Sequence, residues 1–390
     1  MPKKPRVLLI ADADSVFTIR FIRDFLLPEG YNVVVFPIWK QPDYYASFYA
    51  DNHIPVYVDK HTLPIIRHIP KLRMWVRIWC NALSLRAYGP FDIVHNHQLS
   101  QRDLALGYLV SHHDNARFIA NFWGSDLATA TPKRLASLTH YLCKADVINV
   151  FNPNYKTTVA KTYGTKIEQK TTVVPFGLPS YETIDTVQAT HTREDCKAHF
   201  AIAADQYVVC IGYNASPIHQ QLAVLETLAT LPSATREKMT FVLQQTYGIS
   251  DTAYVQKTRE RAKALGNCLI LTEFMDATES AFLRCACDLF IHAIVADSFS
   301  ASLQEYCYAG AHIIMGSWLN YPQLDALDIT IARFTAIDAI VPLVMQAYQN
   351  KIPSITAEQR KQMSSHYSWD GVRDGWLALY GKSSTEAKDC

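Results

Sequence analysis

Two carboxylates lie eight residues apart in the second half of the chain, at Asp297 and Glu305. Asp297 follows an apolar, strand-like stretch, and Glu305 falls in the helical pattern that comes next. Between them, residues 298–301 offer mostly small side chains, and backbone N–H groups at the positive end of a helix. Such N–H groups suit a diphosphate and the carboxylates suit hydroxyls, so this spacing predicts a sugar-nucleotide site. The alternative is an ordinary helix start with an exposed Glu.

Polar residues also follow the strand-like runs of the first half. His97 and Asp126 stand at such positions, and we expect them to act as acid or base or to orient a second substrate. For His95 and His97 the alternative is a buried, purely structural histidine. Asp12-Ala-Asp14 has the letters of a metal-binding D-x-D, but it lies in the first strand-to-helix turn, and we interpret it as a loop near the acceptor. Because no other His, Asp or Glu cluster has ligand spacing, we expect no metal.

The composition limits the kind of protein that carries these residues. The 390 residues are 49% hydrophobic, which is enough for sizeable cores and excludes an intrinsically disordered chain. Lysine and arginine total 37 against 36 acidic residues, which excludes a protein that wraps nucleic acid along its whole surface. The nine cysteines are odd in number and form no C-x-x-C, which favours free thiols in a reducing compartment. The sequence has no apolar stretch of the length that a membrane span needs.

The elements that must position the candidate residues are short strands alternating with helices. The strand-like runs are rich in Val and Ile and apolar on both faces, which is typical of parallel strands covered on both sides. This pattern predicts an α/β fold with two doubly wound, Rossmann-like domains that bind ligands beyond the carboxyl ends of their strands. We expect a first domain over 1–178, a polar linker over 179–197 and a second domain over 198–366. A helix over 367–382 and a tail over 383–390 complete the chain.

The pattern Asp297-x7-Glu305, followed by Tyr-Cys-Tyr-Ala-Gly310 and an apolar strand, resembles the E-x7-E signature of the family-4 retaining glycosyltransferases. The resemblance covers nearly the whole chain and includes, in order, Phe91–His97, Asn121–Asp126, Val173–Gly177 and Ser368–Asp370. It implies the GT-B fold, in which two Rossmann-like domains face each other across a cleft and a C-terminal helix crosses back to the first domain.

The resemblance also implies residue roles. In that family the first carboxylate contacts the donor sugar, the second contacts the nucleotide ribose, and the small residues after the first carboxylate contact the phosphates. Asp297 is thus a catalytic candidate and Glu305 a ribose ligand. The residues expected at the phosphate and sugar are Ser298, Phe299 and Ser300. The acceptor-side candidates are Asp14, Ser15 and Trp123.

The sequence departs from the family at both the motif and the phosphate loop. Asp replaces the first Glu, and Ser-Phe-Ser replaces the usual Gly-Phe-Gly. The expected Arg and Lys after the first strand of the second domain are missing, which leaves Asn214, Ser216 and His219 in that loop. His219 and helix N–H groups are expected to stabilise the leaving diphosphate, although a solvent-exposed histidine at a helix start is the alternative. Arg284 is either a surface charge or a ligand of the phosphates.

Three segments of the second domain are similar to those of a smaller group of enzymes. They are Gly212–Gln221, Gln245–Gly248 and Thr272–Met275. That group transfers 4-acetamido-4,6-dideoxy-galactose to a lipid-linked sugar and inverts the anomeric centre, so both stereochemical outcomes stay open. Further donor-binding candidates from these segments are Tyr247, Gly248, Phe274 and Met275.

The stretch 60–91 contains six basic residues and no acidic one. On the helix predicted there, Trp75 and Trp79 share a face, and Arg73 and Arg77 lie roughly a third of a turn away. A helix with Trp beside Arg suits the head-group region of an anionic membrane. The alternative is a helix that packs its tryptophans into the core and leaves the arginines in solvent.

The sequence therefore predicts a metal-independent glycosyltransferase that moves a sugar from a UDP- or dTDP-sugar to a hydroxyl, with retention as the family-4 resemblance implies. The nucleotide sugar is a co-substrate, and no cofactor is expected. We expect a glycan, lipid-linked or protein acceptor in glycan, surface-polysaccharide or glycoconjugate assembly. The expected location is cytoplasmic, with peripheral contact at the inner face of an anionic membrane and no nucleic-acid partner.

The sequence leaves one alternative function open and disfavours another. The missing phosphate cations raise a non-catalytic nucleotide- or sugar-binding protein of the same fold as the alternative. A dinucleotide oxidoreductase is disfavoured, because no G-x-G-x-x-G follows a strand.

Overall fold

The computed structural model describes residues 4–59, 69–128 and 130–381, and within these ranges two parallel sheets of six strands form. The chain divides into two compact units. The first domain comprises residues 1–177 and 369–390, and the second comprises residues 178–368. The tail expected over 383–390 lies outside the described residues.

The first domain is built on a sheet in the order β2-β1-β3-β4-β5-β6. Its strands are β1 (Arg6–Ala11), β2 (Asn32–Pro37), β3 (Ile93–Asn96), β4 (Arg117–Phe122), β5 (Val147–Val150) and β6 (Thr171–Val173). Its helices are α1 (Val16–Phe21), α2 (Ala46–Asp51), α3 (Pro70–Leu85), α4 (Gln101–Asp114), α5 (Ser125–Ala128), α6 (Pro132–Lys144), α7 (Pro153–Tyr163) and α8 (Thr165–Glu168). Apolar side chains are buried on both faces of the sheet, as expected for parallel strands covered by helices.

The second domain repeats this architecture with a sheet in the order β12-β11-β10-β7-β8-β9. Its strands are β7 (Tyr207–Ile211), β8 (Met239–Gln244), β9 (Cys268–Leu271), β10 (Leu289–His292), β11 (His312–Gly316) and β12 (Ala332–Phe334). Its helices are α9 (Ser180–Thr190), α10 (Arg193–His199), α11 (Gln221–Leu228), α12 (Ser233–Arg236), α13 (Thr252–Leu265), α14 (Ala277–Ala286), α15 (Ala301–Tyr308), α16 (Pro322–Asp325), α17 (Ile340–Tyr348) and α18 (Ala357–Tyr367).

The segment expected as a polar linker, 179–197, is instead part of the second domain. It forms α9 and most of α10, and Tyr181, Ile184, Val187 and Cys196 are buried in the core beside α14. These apolar residues are separated by three, three and nine positions, so they line one face of the helices while the polar residues between them face outward. The polar composition of the segment reflects that outer face.

The expected C-terminal helix, α19 (Trp369–Tyr380), belongs to the first domain. Trp376 is fully buried, and its indole N–H donates to the backbone oxygen of Pro175 at 3.0 Å. A Cβ atom at Gly177 would lie 2.4 Å from the ring of Trp369, so only glycine allows the chain to pass this close. The return of the terminal helix to the first domain is therefore confirmed.

Within the described residues, every helix is too short or too polar to span a membrane. The same residues bring together no cluster of three or more His, Cys, Asp or Glu side chains that could hold a metal ion.

Candidate functional site

The strand order of the second domain brings two loops together. From β7 the chain continues to β8 and β9 on one side, and from β10 it continues to β11 and β12 on the other. In open parallel sheets such a switch point forms a crevice where ligands bind. The loops after β7 and β10 are joined there by a hydrogen bond from the N–H of Val295 to the oxygen of Ile218, at 2.9 Å. The predicted residues Asn214, Ser216 and His219 follow β7, and the Asp297 segment follows β10.

Asp297 holds the turn that leads into α15. Its Oδ1 accepts the N–H of Ser298 at 2.8 Å, and its Oδ2 accepts the N–H of Ser300 at 2.7 Å. Oδ2 also accepts the hydroxyl of Tyr321 at 2.9 Å, and Nε2 of His292 lies 3.5 Å away. Burial raises the pKa of Asp297, but the neighbouring His292 and the hydrogen bonds outweigh burial, so the pKa is below its ordinary value. The side chain is therefore an ionised carboxylate that shapes its own loop.

His292 and Tyr321 are site residues that sequence reasoning missed. Nε2 of His292 lies 3.0 Å from the hydroxyl of Tyr321, which bonds Asp297. His292 ends the buried strand β10, so a histidine at a strand end five residues before Asp297 was the available signal. Tyr321 lies 24 residues beyond Asp297, and its contact depends on the fold.

Phe299 has a backbone conformation that L-residues rarely adopt. Its φ is +92°, in the left-handed region that favours glycine. The centre of its ring lies 5.4 Å from the ring centres of both Tyr321 and Tyr367. Its backbone oxygen accepts a hydrogen bond from the side-chain amide of Gln304 at 3.0 Å. Such contacts hold a strained residue in place, and strained residues cluster at ligand sites. The hydroxyl of Ser300 then caps α15 by accepting the N–H of Leu303 at 3.3 Å.

Glu305 lies on α15 and forms a buried ion pair with Arg284 of α14. Arg284 Nε is 3.1 Å from Glu305 Oε2, and Nη1 donates to the hydroxyl of Tyr306 at 3.0 Å. The guanidinium also lies 4.2 Å from the centre of the Tyr306 ring. Arg284 is thus neither a surface charge nor, by its contacts, free to point at a phosphate. It holds the second carboxylate of the motif.

His219 is buried, which excludes the alternative of a solvent-exposed histidine at a helix start. Its ring packs 4.2 Å from that of Tyr213, and both ring nitrogens lack a hydrogen-bond partner among the residues that the structure describes. Burial, with a smaller effect from His292, lowers the pKa of His219 to about 4. It is therefore neutral at physiological pH. Because buried polar atoms are normally bonded, an unpartnered imidazole beside the crevice is fit to bond a ligand.

The other donor-side candidates lie in adjoining loops. Asn214 Oδ1 accepts the N–H of Ser216 at 2.9 Å, and the N–H of Ala215 donates to the oxygen of Tyr247 at 2.9 Å. Gly248 has a φ of +77°, and a Cβ atom there would lie 2.8 Å from Asn214 Oδ1. The loops after β7 and β8 are thus packed together.

After β9, Met275 is half-buried against the core, whereas Phe274 is exposed. Tyr247, after β8, is also exposed. Two aromatic rings therefore stand at the carboxyl edge of this sheet, where they could stack on a base or sugar.

In the first domain the switch point lies between β1 and β3. Asp14, after β1, accepts the N–H groups of Asp43 at 3.0 Å and Tyr45 at 3.3 Å and pairs with Lys40 at 3.1 Å. Burial raises its pKa, but these bonds outweigh burial and lower it. Asp14 therefore ties down the loop after β2. Ser15 precedes α1 without a side-chain cap bond.

His97 follows β3 and is fully buried. The centre of its ring lies 5.0 Å from the ring centres of both Phe21 and Trp123. The indole N–H of Trp123 donates to the backbone oxygen of His97. Both ring nitrogens lack a partner within the described part of the chain. Burial lowers the pKa of His97 to about 3, so the ring is neutral and a weak base. His95 lies two residues earlier, on β3, and its Nδ1 is 2.7 Å from the hydroxyl of Tyr380.

Asp126 caps a turn after β4. Its Oδ1 accepts the N–H groups of Trp123 and Gly124, each at 2.9 Å. Its Oδ2 is buried and has no partner among the described residues. Burial raises the pKa of Asp126 to about 6, despite those two bonds. Asp126 and His97 thus contact the same Trp123 and leave unpartnered polar atoms at the ends of neighbouring strands.

The predicted membrane helix is α3, and its two tryptophans differ. Trp75 is half-buried against the core of the first domain, whereas Trp79 is 57% exposed. Arg73 is exposed, and Arg77 pairs with Asp59. Trp75 therefore fits the alternative of a core-packed tryptophan, whereas Trp79 fits the exposed face. Of the other basic residues of this stretch, Lys60 and Arg67 lie outside the described residues, as do His61 and His68.

The exposed face of α3 has a different set of residues. Apolar side chains with spacings of three, seven and four residues form what we call the α3 stripe: Ile69, Leu72, Trp79 and Leu83.

No family model matches the chain, and no curated protein matches it. Solved structures do match. A glycosyltransferase from Rickettsia africae has a TM-score of 0.77 at 14% identity, over 97% of this chain and 98% of that chain. Anabaena HepE in complex with UDP and glucose has a TM-score of 0.71 at 13% identity, over 96% and 98%. Sucrose-phosphate synthase from Thermosynechococcus elongatus has a TM-score of 0.71 at 12% identity, over 97% and 98%.

The chain has the GT-B fold. The expectation drawn from the motif is confirmed at this level. Likeness at these identities shows a shared fold, and the resemblance to the family-4 enzymes and to the lipid-linked sugar transferases stays a prediction.

Proposed function

We propose that this GT-B protein is a glycosyltransferase that moves a sugar from a nucleotide-sugar donor, a UDP- or dTDP-sugar, to a hydroxyl acceptor. The donor binds to the second domain and the acceptor to the first. The observation that carries the proposal is the meeting of His219, the Asp297 turn and the capped start of α15 at the switch point of the second sheet. The similar structure of HepE, which holds UDP and glucose, supports a nucleotide-sugar donor.

The residues have distinct roles in this proposal. The N–H groups at the start of α15 and the neutral imidazole of His219 donate hydrogen bonds to the diphosphate. They take the place of Lys and Arg, which the loop after β7 does not contain. Glu305, oriented by Arg284, accepts from the ribose. Asp297 contacts the donor sugar, and Tyr247 and Phe274 offer rings for stacking. The diphosphate is stabilised without a metal.

We propose that the anomeric configuration is retained. The bond from the anomeric carbon to the diphosphate breaks, the bond to the acceptor oxygen forms on the same face, and the acceptor proton passes to the departing phosphate oxygen. This route needs no protein base. The low pKa of His97 favours it, because an imidazole with a pKa of about 3 is a weak base at neutral pH. His97 and Asp126 then orient the acceptor.

Turnover of a panel of UDP- and dTDP-sugars, with and without acceptor glycans, tests the proposal. Release of nucleoside diphosphate that persists in EDTA is expected, and proton NMR of the product should show the retained anomer. Calorimetry with UDP should show that Glu305→Gln weakens binding by about 1.5–3 kcal/mol. The matched control is Glu226→Gln, an exposed carboxylate on α11. If no nucleotide binds, the chain is not a transferase of this kind.

A non-catalytic nucleotide- or sugar-binding protein is the second candidate. The observation that favours it is the loop 212–220, which contains neither Lys nor Arg. Nucleotide binding without release of diphosphate from any donor would support this candidate and contradict the first.

We further propose that the protein acts in the cytoplasm, in glycan, surface-polysaccharide or glycoconjugate assembly, with peripheral contact at an anionic membrane. The exposed α3 stripe and the basic residues of 60–91 support this contact. The acceptor is then a glycan, a protein or a lipid-linked sugar, and a membrane contact favours the last.

A further inference from the structure

A cavity of about 500 Å³ lies in the first domain, beside the end of β2 and the start of α4. We call it the α3 cavity. Its size is that of many small-molecule sites. Its walls come from the end of β2 and the loop that follows, residues 57–59, α3 and the start of α4. None of the residues assigned above to donor or acceptor lines it.

One part of the wall is apolar and aromatic. The rings of Phe36 and Tyr57 stack with their centres 5.3 Å apart, and Met74 and Ile78 of α3 lie against the same core. Trp39 also lines the cavity and is 75% exposed. A large ring beside an apolar wall is placed so that it can pack on the hydrocarbon part of a ligand in the cavity.

The polar part of the wall carries more positive than negative charge. Four cations line it, Lys40, Arg73, Arg77 and Arg102, against the two carboxylates of Asp59 and Asp103. Arg77 pairs with Asp59, Arg102 pairs with Asp103 at 2.9 Å, and Lys40 pairs with Asp14.

Arg73 differs from the other three cations. Within the described residues it forms no ion pair or side-chain hydrogen bond. The cavity thus joins an unneutralised guanidinium to an apolar wall, which is a combination that suits an amphiphile with an anionic head.

Helix α3 carries both a wall of the cavity and the exposed α3 stripe. Pro70, Arg73, Met74 and Arg77 face the cavity, whereas the α3 stripe is exposed on other positions of the same helix. A helix that rests on a membrane by its stripe would hold the cavity at the level of the lipid head groups. A ligand that carries both a phosphate and a hydrocarbon chain could then enter without leaving the membrane.

We propose that the α3 cavity binds the phosphate end of a lipid phosphate, with the phosphate at Arg73 and the start of the hydrocarbon chain against Trp39 and Met74. The assignment of this ligand as the sugar acceptor rests on the proposed function. The binding itself does not, because the cavity shares no residue with the donor site.

The test measures binding of farnesyl phosphate, with farnesol and inorganic phosphate as the probes that lack one half of the ligand. Farnesyl phosphate should bind at least about tenfold more tightly than either, since the charge and the buried chain both contribute. Arg73→Gln should weaken its binding about fivefold. Arg86→Gln, an exposed arginine at the end of the same helix that does not line the cavity, is the control and should leave it unchanged.

A second variant locates the ligand. Binding should quench or shift tryptophan fluorescence in the wild type, and Trp39→Phe should remove most of that change while calorimetry still detects binding. Both side chains are exposed, so neither variant is expected to disturb folding. Equal binding of farnesyl phosphate and inorganic phosphate, or equal effects of Arg73→Gln and Arg86→Gln, would overturn the proposal.

Calorimetry with UDP on the same samples separates the two proposals. Binding of UDP without binding of farnesyl phosphate would reject the lipid site and leave the transferase. Binding of farnesyl phosphate without UDP would reject the transferase and leave the lipid site.

Discussion

Arg284 and Glu305 face each other in the interior of the second domain, with Nε 3.1 Å from Oε2 and both side chains almost fully buried. The two residues come from neighbouring helices, and the second is the carboxylate proposed to hold the ribose. Removing one member of a buried pair leaves the other charge without compensation in a medium of low polarity. This relationship couples the proposed donor site to the stability of its domain.

The first prediction concerns this pair. Glu305→Ala should lower the free energy of unfolding by about 3–5 kcal/mol, because Arg284 keeps its charge in the core. Urea unfolding followed by circular dichroism measures the loss. Arg284→Met combined with Glu305→Leu should recover most of it, because an apolar replacement of a buried pair is often neutral. Single losses that simply add in the double variant would contradict the coupling.

The second prediction follows from the lowered pKa of Asp297. The unfolded chain has the ordinary pKa of 3.8, so the ionised carboxylate stabilises the fold at every pH above this value. The contribution disappears as the pH falls through the lower pKa of the folded state. Wild type should therefore exceed Asp297→Asn in stability by a constant amount from neutral pH to about 5, and the difference should close below about 4.

Unfolding in urea at a series of pH values measures this difference. Tyr321→Phe removes a donor to Asp297 and should move the closure to higher pH. The exposed Asp338→Asn is the control. A difference from wild type that does not depend on pH would rule out this role for Asp297.

The third prediction concerns Asp126, whose pKa is raised to about 6 by burial. Here the folded state binds the proton more tightly than the unfolded chain, so the contribution to stability is largest below pH 3.8 and is lost as the pH rises to about 6. Asp126→Asn removes this loss, because an amide does not ionise. The stability of the variant relative to wild type should rise between about pH 4 and 6 and then level off. A flat profile would mean that Asp126 titrates normally.

The fourth prediction concerns the terminal helix. The hydroxyl of Tyr380 lies 2.7 Å from Nδ1 of His95, and both groups are buried. Tyr380→Phe should lower the free energy of unfolding by about 1–3 kcal/mol, since it leaves a buried nitrogen without a partner. Tyr348→Phe, a half-buried tyrosine of α17, is the control. Equal stability of the two variants would show that the bond to His95 contributes little.

The fifth prediction concerns the α3 stripe. Leu72→Ser with Trp79→Ser should greatly reduce sedimentation with anionic vesicles at low salt, while thermal unfolding stays unchanged, because both side chains are exposed. Arg73→Glu should also weaken sedimentation and its salt dependence. Arg77 is a poor target, because its loss would break the pair with Asp59. The control is Tyr44→Ser, an exposed aromatic residue outside this helix.

A wild type that never sediments with such vesicles would make the stripe a feature of the fold alone. The acceptor would then be a soluble glycan or a protein.

Much of the fold could be predicted from the sequence because its signals are local. Buried parallel strands are short apolar runs. Three such runs, Arg6–Ala11, Cys268–Leu271 and Leu289–His292, are indicated by the sequence pattern with the bounds that β1, β9 and β10 have in the structure. The short strands at the edges of the sheets are harder to predict from the sequence. The apolar run 55–58 has the pattern of a strand, but it forms a single bridge between Val35 and Val56. Strand β12 is three residues long and includes Arg333. At an edge, pairing depends on the neighbouring strand more than on the residues themselves.

The sequence by itself determined which segments stand at the carboxyl ends of the strands, because strand and loop alternate along the chain. The tertiary structure alone decided which way the side chains of those segments point. Glu305 meets Arg284, 21 residues away, and Asp297 meets Tyr321, 24 residues away. Burial of His219 and His97 likewise depends on the elements packed above them. The charge state, burial and pKa of a side chain depend on its neighbours in space. The spacing of residues along the chain does not reveal those neighbours.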